Sequence, residues 1–292
     1  MKKSINFAGY QGKISVHTKA IKKFISLIKK EFSCNFEEDI TLKNNKASDL
    51  INLTRKGDVD ISYLFSSYFL NLIPQLGIFD LPFYFKDKDE ALNKLKNLSN
   101  LINNKFNEEN NLVLLGFWDN GTRHISSSKS FIKTLNDCEG QIIRTTPNSL
   151  HIKSFKAFGF IPKPLDVLEF KKSLSNNELD AQENPLTNFY QFKVYNSHKF
   201  LTKTSHLFGF CLFIANKSFF DKLSNQEKNL ILKTSKYINV FQKKLAAQED
   251  KRLIEVIKKE KVLVSDLSFE NRLNFIKQSE KIHRHFFSKF KN

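Results

Sequence analysis

The sequence predicts an α/β protein of two lobes, and three observations carry that prediction. Short apolar runs alternate with stretches of helical apolar spacing along most of the chain, the pattern of α/β folds with largely parallel sheets. The 292 residues exceed the usual single-domain size and suit two lobes of roughly 120–150 residues each. Late in the chain one helical pattern runs on without a break, as a long helix bracing both lobes would.

Taken in order, Ile5 and Phe7 alternate with polar neighbours and lead into Gly9, which reads as a first strand. After the Gly9 to Gly12 loop, Ile21, Phe24, Ile25, Ile28 and Phe32 fall on one helical face. A second helix around Ala47 to Lys56 stops at Gly57, a good C-terminal cap. Strands are expected at Asp60 to Phe65, Leu112–Phe117, Gln141–Thr145 and Phe208–Ala215. Phe117 to Gly121 reads as an aromatic-polar turn. Ser224 and Glu227 then carry a capping-box start. Apolar residues keep helical spacing from Leu230 through Val240, Phe241, Leu245, Leu253 and Ile257, about 35 residues without Pro or Gly. No linker rich in Pro, Gly or Ser appears, so short crossovers should join the lobes. The expected division is 1–121 with 208–247 as lobe I, and 122–207 with 248–292 as lobe II.

Composition narrows the function classes. A net charge of +17 invites a nucleic-acid reading. Only six of the 47 basic residues are Arg, however, and the Lys are spread along the chain among Glu, Asp and Asn. The charge therefore reads as solvated surface, with no nucleic-acid partner expected. Cys34, Cys138 and Cys211 lie far apart and imply neither a disulfide framework nor a metal site. No apolar run reaches the roughly 18 residues a membrane span needs, so no direct membrane insertion is expected. Met1-Lys2-Lys3 resembles the charged start of a signal peptide, yet no apolar stretch of about 7–15 residues follows. That leaves two alternatives, a leader replaced by an initiating Met or a protein that stays inside the cell.

Catalytic signatures are missing: no GxSxG, no P-loop, no GxGxxG and no HExxH. His283 and His285 are the only close pair of His, and two His at i, i+2 on a helix do not face one point. No enzyme activity, cofactor or metal is expected.

Arginine usage is the sharpest clue. In a chain so biased to Lys, Arg123 and Arg144 stand only 21 positions apart. A guanidinium offers a planar fork that grips a carboxylate through two parallel hydrogen bonds, which Lys does not copy. Arg144 falls at the carboxyl end of an expected strand, where ligands of α/β sheets gather. The alternative is that both are ordinary ion pairs. Further on, Asn184 precedes Pro185, which holds it extended and would present its amide from a loop ahead of a helix.

Several segments, in order, resemble the DctP-type solute receptors of tripartite ATP-independent periplasmic (TRAP) transporters. Phe79-Asp80-Leu81-Pro82-Phe83 is similar to the family's "DLPF" segment, and Trp118 to Arg123 to its "W-x-N-G-x-R" element. Gly140 to Arg144 resembles "G-x-K-I-R", and Asp180 to Pro185, which includes Gln182, resembles "D-G-Q-E-N-P". Tyr195, Leu201, Thr204 and His206 follow a further "YEVxKYLxxTxH" pattern.

The resemblance implies a periplasmic-binding-protein-like fold of two lobes that close on a small organic acid in an inter-lobe cleft. It implies a periplasmic receptor that passes its ligand to TRAP permease subunits. The alternative partner is a separate receptor to which a ligand-sensing module would report. By residue, it implies that Arg144 pairs with the ligand carboxylate while Arg123, Asn184 and Gln182 line the cleft. Phe65 and Tyr68 stand where sialic-acid receptors carry an acidic and a basic residue. With Trp118 and Val167 they would form an apolar or aromatic wall, which favours a small monocarboxylate over a sugar acid.

Overall fold

The computed structural model describes residues 2–290. The first elements are β1 (Lys3–Ala8), α1 (Val16–Ile28), β2 (Phe32–Glu37), α2 (Asp49–Lys56) and β3 (Ile61–Phe65). Next come α3 (Lys88–Asn97), α4 (Ser99–Glu109), β4 (Leu112–Ser127), β5 (Ile142–Thr145), α5 (Ser149–Ala157) and β6 (Ile161–Pro164). Then follow α6 (Val167–Ser175), β7 (Ala181–Pro185), α7 (Leu186–Gln191) and β8 (Phe200–Asn216). The chain closes with α8 (Lys217–Asp221), α9 (Asn225–Lys259), β9 (Leu263–Asp266) and α10 (Phe269–Ser288).

These elements form two units. The first holds Met1–Phe65, Leu95–Asn120 and Phe210–Glu249; the second holds Ser66–Lys94, Gly121–Gly209 and Asp250–Asn292. The chain passes from one to the other after Phe65, Lys94, Asn120, Gly209 and Glu249. Four of those passages fall inside α3, β4, β8 and α9, not in the separate short crossovers expected from the sequence.

In the first unit β1 lies between β2 and β3, parallel to both, with Lys3 opposite Phe32 and Phe7 opposite Ile61. β3 runs antiparallel to β8, from Ile61 opposite Ala215 to Phe65 opposite Cys211. The sheet is therefore mixed, not largely parallel. α1 starts at Ser15, whose side chain accepts from the Thr18 N–H, and buries Ala20, Ile21, Phe24 and Ile28. Phe24 meets Phe7 and Phe213 edge-on, at 5.8 and 5.6 Å between ring centroids. Phe32 does not belong to that helical face. α1 ends at Ile28, and Phe32 opens β2 after a tight reversal at Lys29 to Glu31.

The expected turn at Phe117 to Gly121 is instead the interior of β4. Amides of α9 let the strand continue there. Asn239 accepts from Trp118 Nε1 at 2.9 Å and donates to the Leu115 carbonyl at 3.1 Å. Gln242 accepts from the Asp119 N–H at 2.8 Å and donates to the Asp119 carbonyl at 2.7 Å. β8 likewise extends well before the Phe208 start expected for it. α9 spans 35 residues, as expected, and both capping-box bonds between Ser224 and Glu227 are present.

In the second unit β7 lies between β4 and β5. It is antiparallel to β4, from Arg123 opposite Pro185 to Ser127 opposite Ala181, and parallel to β5, with Arg144 opposite Gln182. β5 pairs in parallel with β6, and β8 with β9. Asn184 therefore sits in a strand and not in a loop, because the extended backbone that Pro185 imposes is strand geometry. Ile125, Ile143, Phe155, Phe158, Phe160, Ala181 and Phe275 form the core. Ser66–Lys94, placed in lobe I by the expected division, groups with this unit. The Phe83 N–H donates to the His206 carbonyl at 2.7 Å, and its ring packs near Phe158 and Phe275.

Candidate functional site

Arg144 stands one residue before the carboxyl end of β5 and is 2% exposed. Its Nε and Nη2 both donate to the Leu165 carbonyl, at 3.0 and 2.6 Å. Its Cζ lies 4.6 Å from the centroid of the Phe170 ring on α6, a cation–π contact. The loop that supplies Leu165 is held at two points. The Leu165 N–H donates to the Thr145 carbonyl, and Asp166 caps α6 in a reciprocal capping box with Glu169. Among the described residues no carboxylate oxygen lies within 4.0 Å of the Arg144 guanidinium nitrogens. Burial pulls its pKa down, against the opposing influence of Tyr68 and Glu183, yet a guanidinium keeps its charge. The side chain is thus a buried cation with one neutral acceptor.

Arg123 is held differently. It is 1% exposed and grips Glu183 bidentately, Nε to Oε2 at 2.5 Å and Nη2 to Oε1 at 2.6 Å. Glu183 also lies 3.5 Å from His151 Nδ1 and 3.3 Å from His206 Nε2. Burial alone would raise its pKa, but Arg123, with His151 and His206, holds it well below the usual carboxylate range. His151 Nε2 reaches Asp80 at 2.9 Å, and Asp80 accepts from Ser67. Burial would lower His151, but Asp80 and Glu183 together hold it above the ordinary imidazole value. Burial lowers His206, whose Nδ1 lies 2.7 Å from Thr204 Oγ1.

The remaining expected residues divide between the units. Gln182 donates to Ser126 Oγ at 2.5 Å and accepts from Asn184 at 2.7 Å, and both amides are buried. Asn184 Oδ1 also accepts from Asn188 at 3.3 Å. Val167 opens α6 and is buried. Tyr68 is half-buried, and its hydroxyl hydrogen-bonds Asp166. Burial first and the Asp166 carboxylate second push its pKa far up, while Arg144 pulls the other way. Tyr68, Asp166 and Arg144 thus share one neighbourhood. Phe65 and Trp118 belong to the first unit. Phe65 is a buried end of β3, and Trp118 is fully buried, stacked on Phe213 at 4.3 Å.

Sequence reasoning assigned no role to Asp80, His151, Glu183 or His206. Asp80, Glu183 and His206 do lie inside the quoted family segments, which could have flagged them. His151 lies in none, and only the fold brings it to Asp80.

Comparisons with known proteins show the family. Residues 7–289 match the model of the bacterial extracellular solute-binding protein family 7, DctP. The chain belongs to that family. Within it, the chain is 31% identical over 256 residues to the 2,3-diketo-L-gulonate-binding periplasmic protein YiaO of Escherichia coli, covering 85% of this chain and 76% of that one. It superposes with a TM-score of 0.91 and 27% identity on the sugar acid binding protein DctPAm from Advenella mimigardefordensis in complex with galactonate, covering 99% and 94% of the two chains. A TRAP periplasmic solute binding protein from Sulfurospirillum deleyianum with bound succinate matches at TM-score 0.90 and 26% identity, covering 99% and 96%. Membership of family 7 bears out the expected resemblance, the two-lobe α/β fold and a solute-binding role. Family 7 is a family of binding proteins and not of enzymes.

Proposed function

We propose that this family 7 protein captures a small organic carboxylate at Arg144, in the periplasm, and delivers it to the permease subunits of a TRAP transporter. The observation that supports this is a guanidinium 2% exposed with no carboxylate of the described residues within 4.0 Å. A charge removed from water is costly unless it is paired, and a ligand carboxylate supplies the missing pair. Arg123 already has its carboxylate in Glu183, so it supports the site as a fixed donor group beside Gln182 and Asn184. Val167 and the ring of Tyr68 offer apolar surface near the Arg144 neighbourhood.

The acids named for the relatives, diketogulonate, galactonate and succinate, differ in length and hydroxylation and share the carboxylate. A thermal-shift screen should therefore span sugar acids, short dicarboxylates and 2-oxo or 2-hydroxy monocarboxylates. Ligands that bind only the folded state raise its melting temperature by mass action. Calorimetry on the best binder then tests the site. Arg144→Lys is expected to lose on the order of 2–3 kcal/mol, roughly 30–150-fold in Kd. An affinity unchanged by that substitution would refute the assignment.

A further inference from the structure

The outer face of α9 in the first unit carries a feature that solute binding does not use. From Lys228 to Gln248 the helix has no acidic residue and five lysines, Lys228, Lys233, Lys236, Lys243 and Lys244. Leu232 (39% exposed), Tyr237 (53%) and Val240 (57%) stand among them. At 100° per residue, Leu232, Lys233, Lys236, Tyr237, Val240, Lys243 and Lys244 fall in one sector of about 140°. Ile231, Thr234, Ser235, Ile238, Gln242 and Ala246 occupy the opposite side and are buried. The ring of Tyr237 lies nearly parallel to that of Phe241, 13° between planes at 6.4 Å.

We infer that this face of α9 adsorbs to an anionic phospholipid surface. Its charge, from Lys233 to Lys244, is of one sign over about three turns, in a chain whose net charge is +17. Its apolar side chains are interleaved with lysines, a side chain whose stem can lie along apolar surface while the ammonium stays among headgroups. An exposed helical face is a convex cylinder. A fluid layer of headgroups moulds itself to a convex cylinder, whereas a protein partner would need a matching groove. Such adsorption is peripheral and needs no spanning segment; among the described residues no helix is long and apolar enough to cross a membrane.

The test is vesicle flotation with the full-length protein. Phosphatidylcholine vesicles are compared with vesicles containing roughly one-third phosphatidylglycerol, at low salt and at about 0.15 M. Binding is expected only to the anionic vesicles. Lys233→Glu with Lys236→Glu should weaken it by more than about 30-fold, since losing two surface lysines alone predicts that much and the new carboxylates add repulsion. Lys277→Glu with Lys281→Glu on α10, the same change in net charge, should weaken it far less. Tyr237→Ser with Val240→Ser should abolish the part that survives at the higher salt. All three variants change exposed positions, and an unchanged melting temperature confirms that each is folded.

The inference is overturned if neither vesicle binds, or if the α9 and α10 lysine pairs weaken binding equally, which would mean net charge alone. It is also overturned if a photocrosslinker at position 240 captures only a membrane protein and the vesicles stay bare, which would mean a protein dock.

Discussion

At the scale of single residues, the two arginines that stand out by rarity have opposite fates. Arg123 spends its fork on Glu183, and Arg144 spends two donors on a backbone carbonyl and makes no ion pair among the described residues. Spacing and residue type made both visible, but neither property says which one has a carboxylate of its own. That depends on β7 laying Glu183 across β4 opposite Ile125, two residues from the Arg123 level. Removing the acid exposes the difference. Glu183→Gln leaves the Arg123 charge buried without its counter-charge and should cost on the order of 3–5 kcal/mol in urea unfolding. Arg144→Lys, which breaks no ion pair among the described residues, should cost much less stability while it weakens ligand binding.

At the scale of elements, the junction of β4 and α9 in the first unit decides whether the strand continues. Gly116 is required by this contact: a Cβ there would lie 2.0 Å from Asn239 Nδ2. Asn239→Leu leaves Trp118 Nε1 and the Leu115 carbonyl without their hydrogen bonds and should cost about 2–4 kcal/mol. Gly116→Ala should also destabilise, by displacing the same amide. Combined with Asn239→Ala it should cost less than the two single changes together, because the smaller residue opens the space and leaves only the backbone strain at the Gly116 φ of +156°. Chemical denaturation of Gly116→Ala, Asn239→Ala and the double variant measures that coupling. The long helix itself was legible from its capping box and unbroken apolar spacing. The extent of β4 was not, since Trp118-Asp119-Asn120-Gly121 has turn composition and only the amides of a helix far along the chain keep it extended.

At the scale of the whole molecule, buried histidines set the response to acid. Burial lowers His17 and His124 to about 3 and His198 to about 4, from 6.5. Between those values the unfolded chain takes up protons that the folded chain refuses, so stability falls as pH drops. Each such histidine adds a slope of up to about 1.4 kcal/mol per pH unit. Glu183 acts with the same sign, since its stabilisation is present above the ordinary carboxylate value and fades as pH falls through its depressed one. His151 opposes them: held above 6.5, it contributes fully below that value and loses its contribution as pH rises through its folded value. The unfolding free energy should therefore be several kcal/mol lower near pH 5 than near pH 7. His151→Gln should cost less near pH 8.5 than near pH 6, which denaturant titrations at those values check.

Local order and kinship were decided along the chain itself: the strand–helix alternation, the stop at Gly57, the start at Ser224 and the ordered family segments all rest on neighbours within a few residues. Those signals are short-range, so the sequence alone carries them. The pairing of strands, the burial of Trp118, the placing of Asn184 in β7 and the Asp80–His151–Glu183–Arg123 cluster were decided only by the tertiary structure. Each of these depends on groups brought together from distant parts of the chain, and the free energy of a buried charge or amide is set by what then surrounds it.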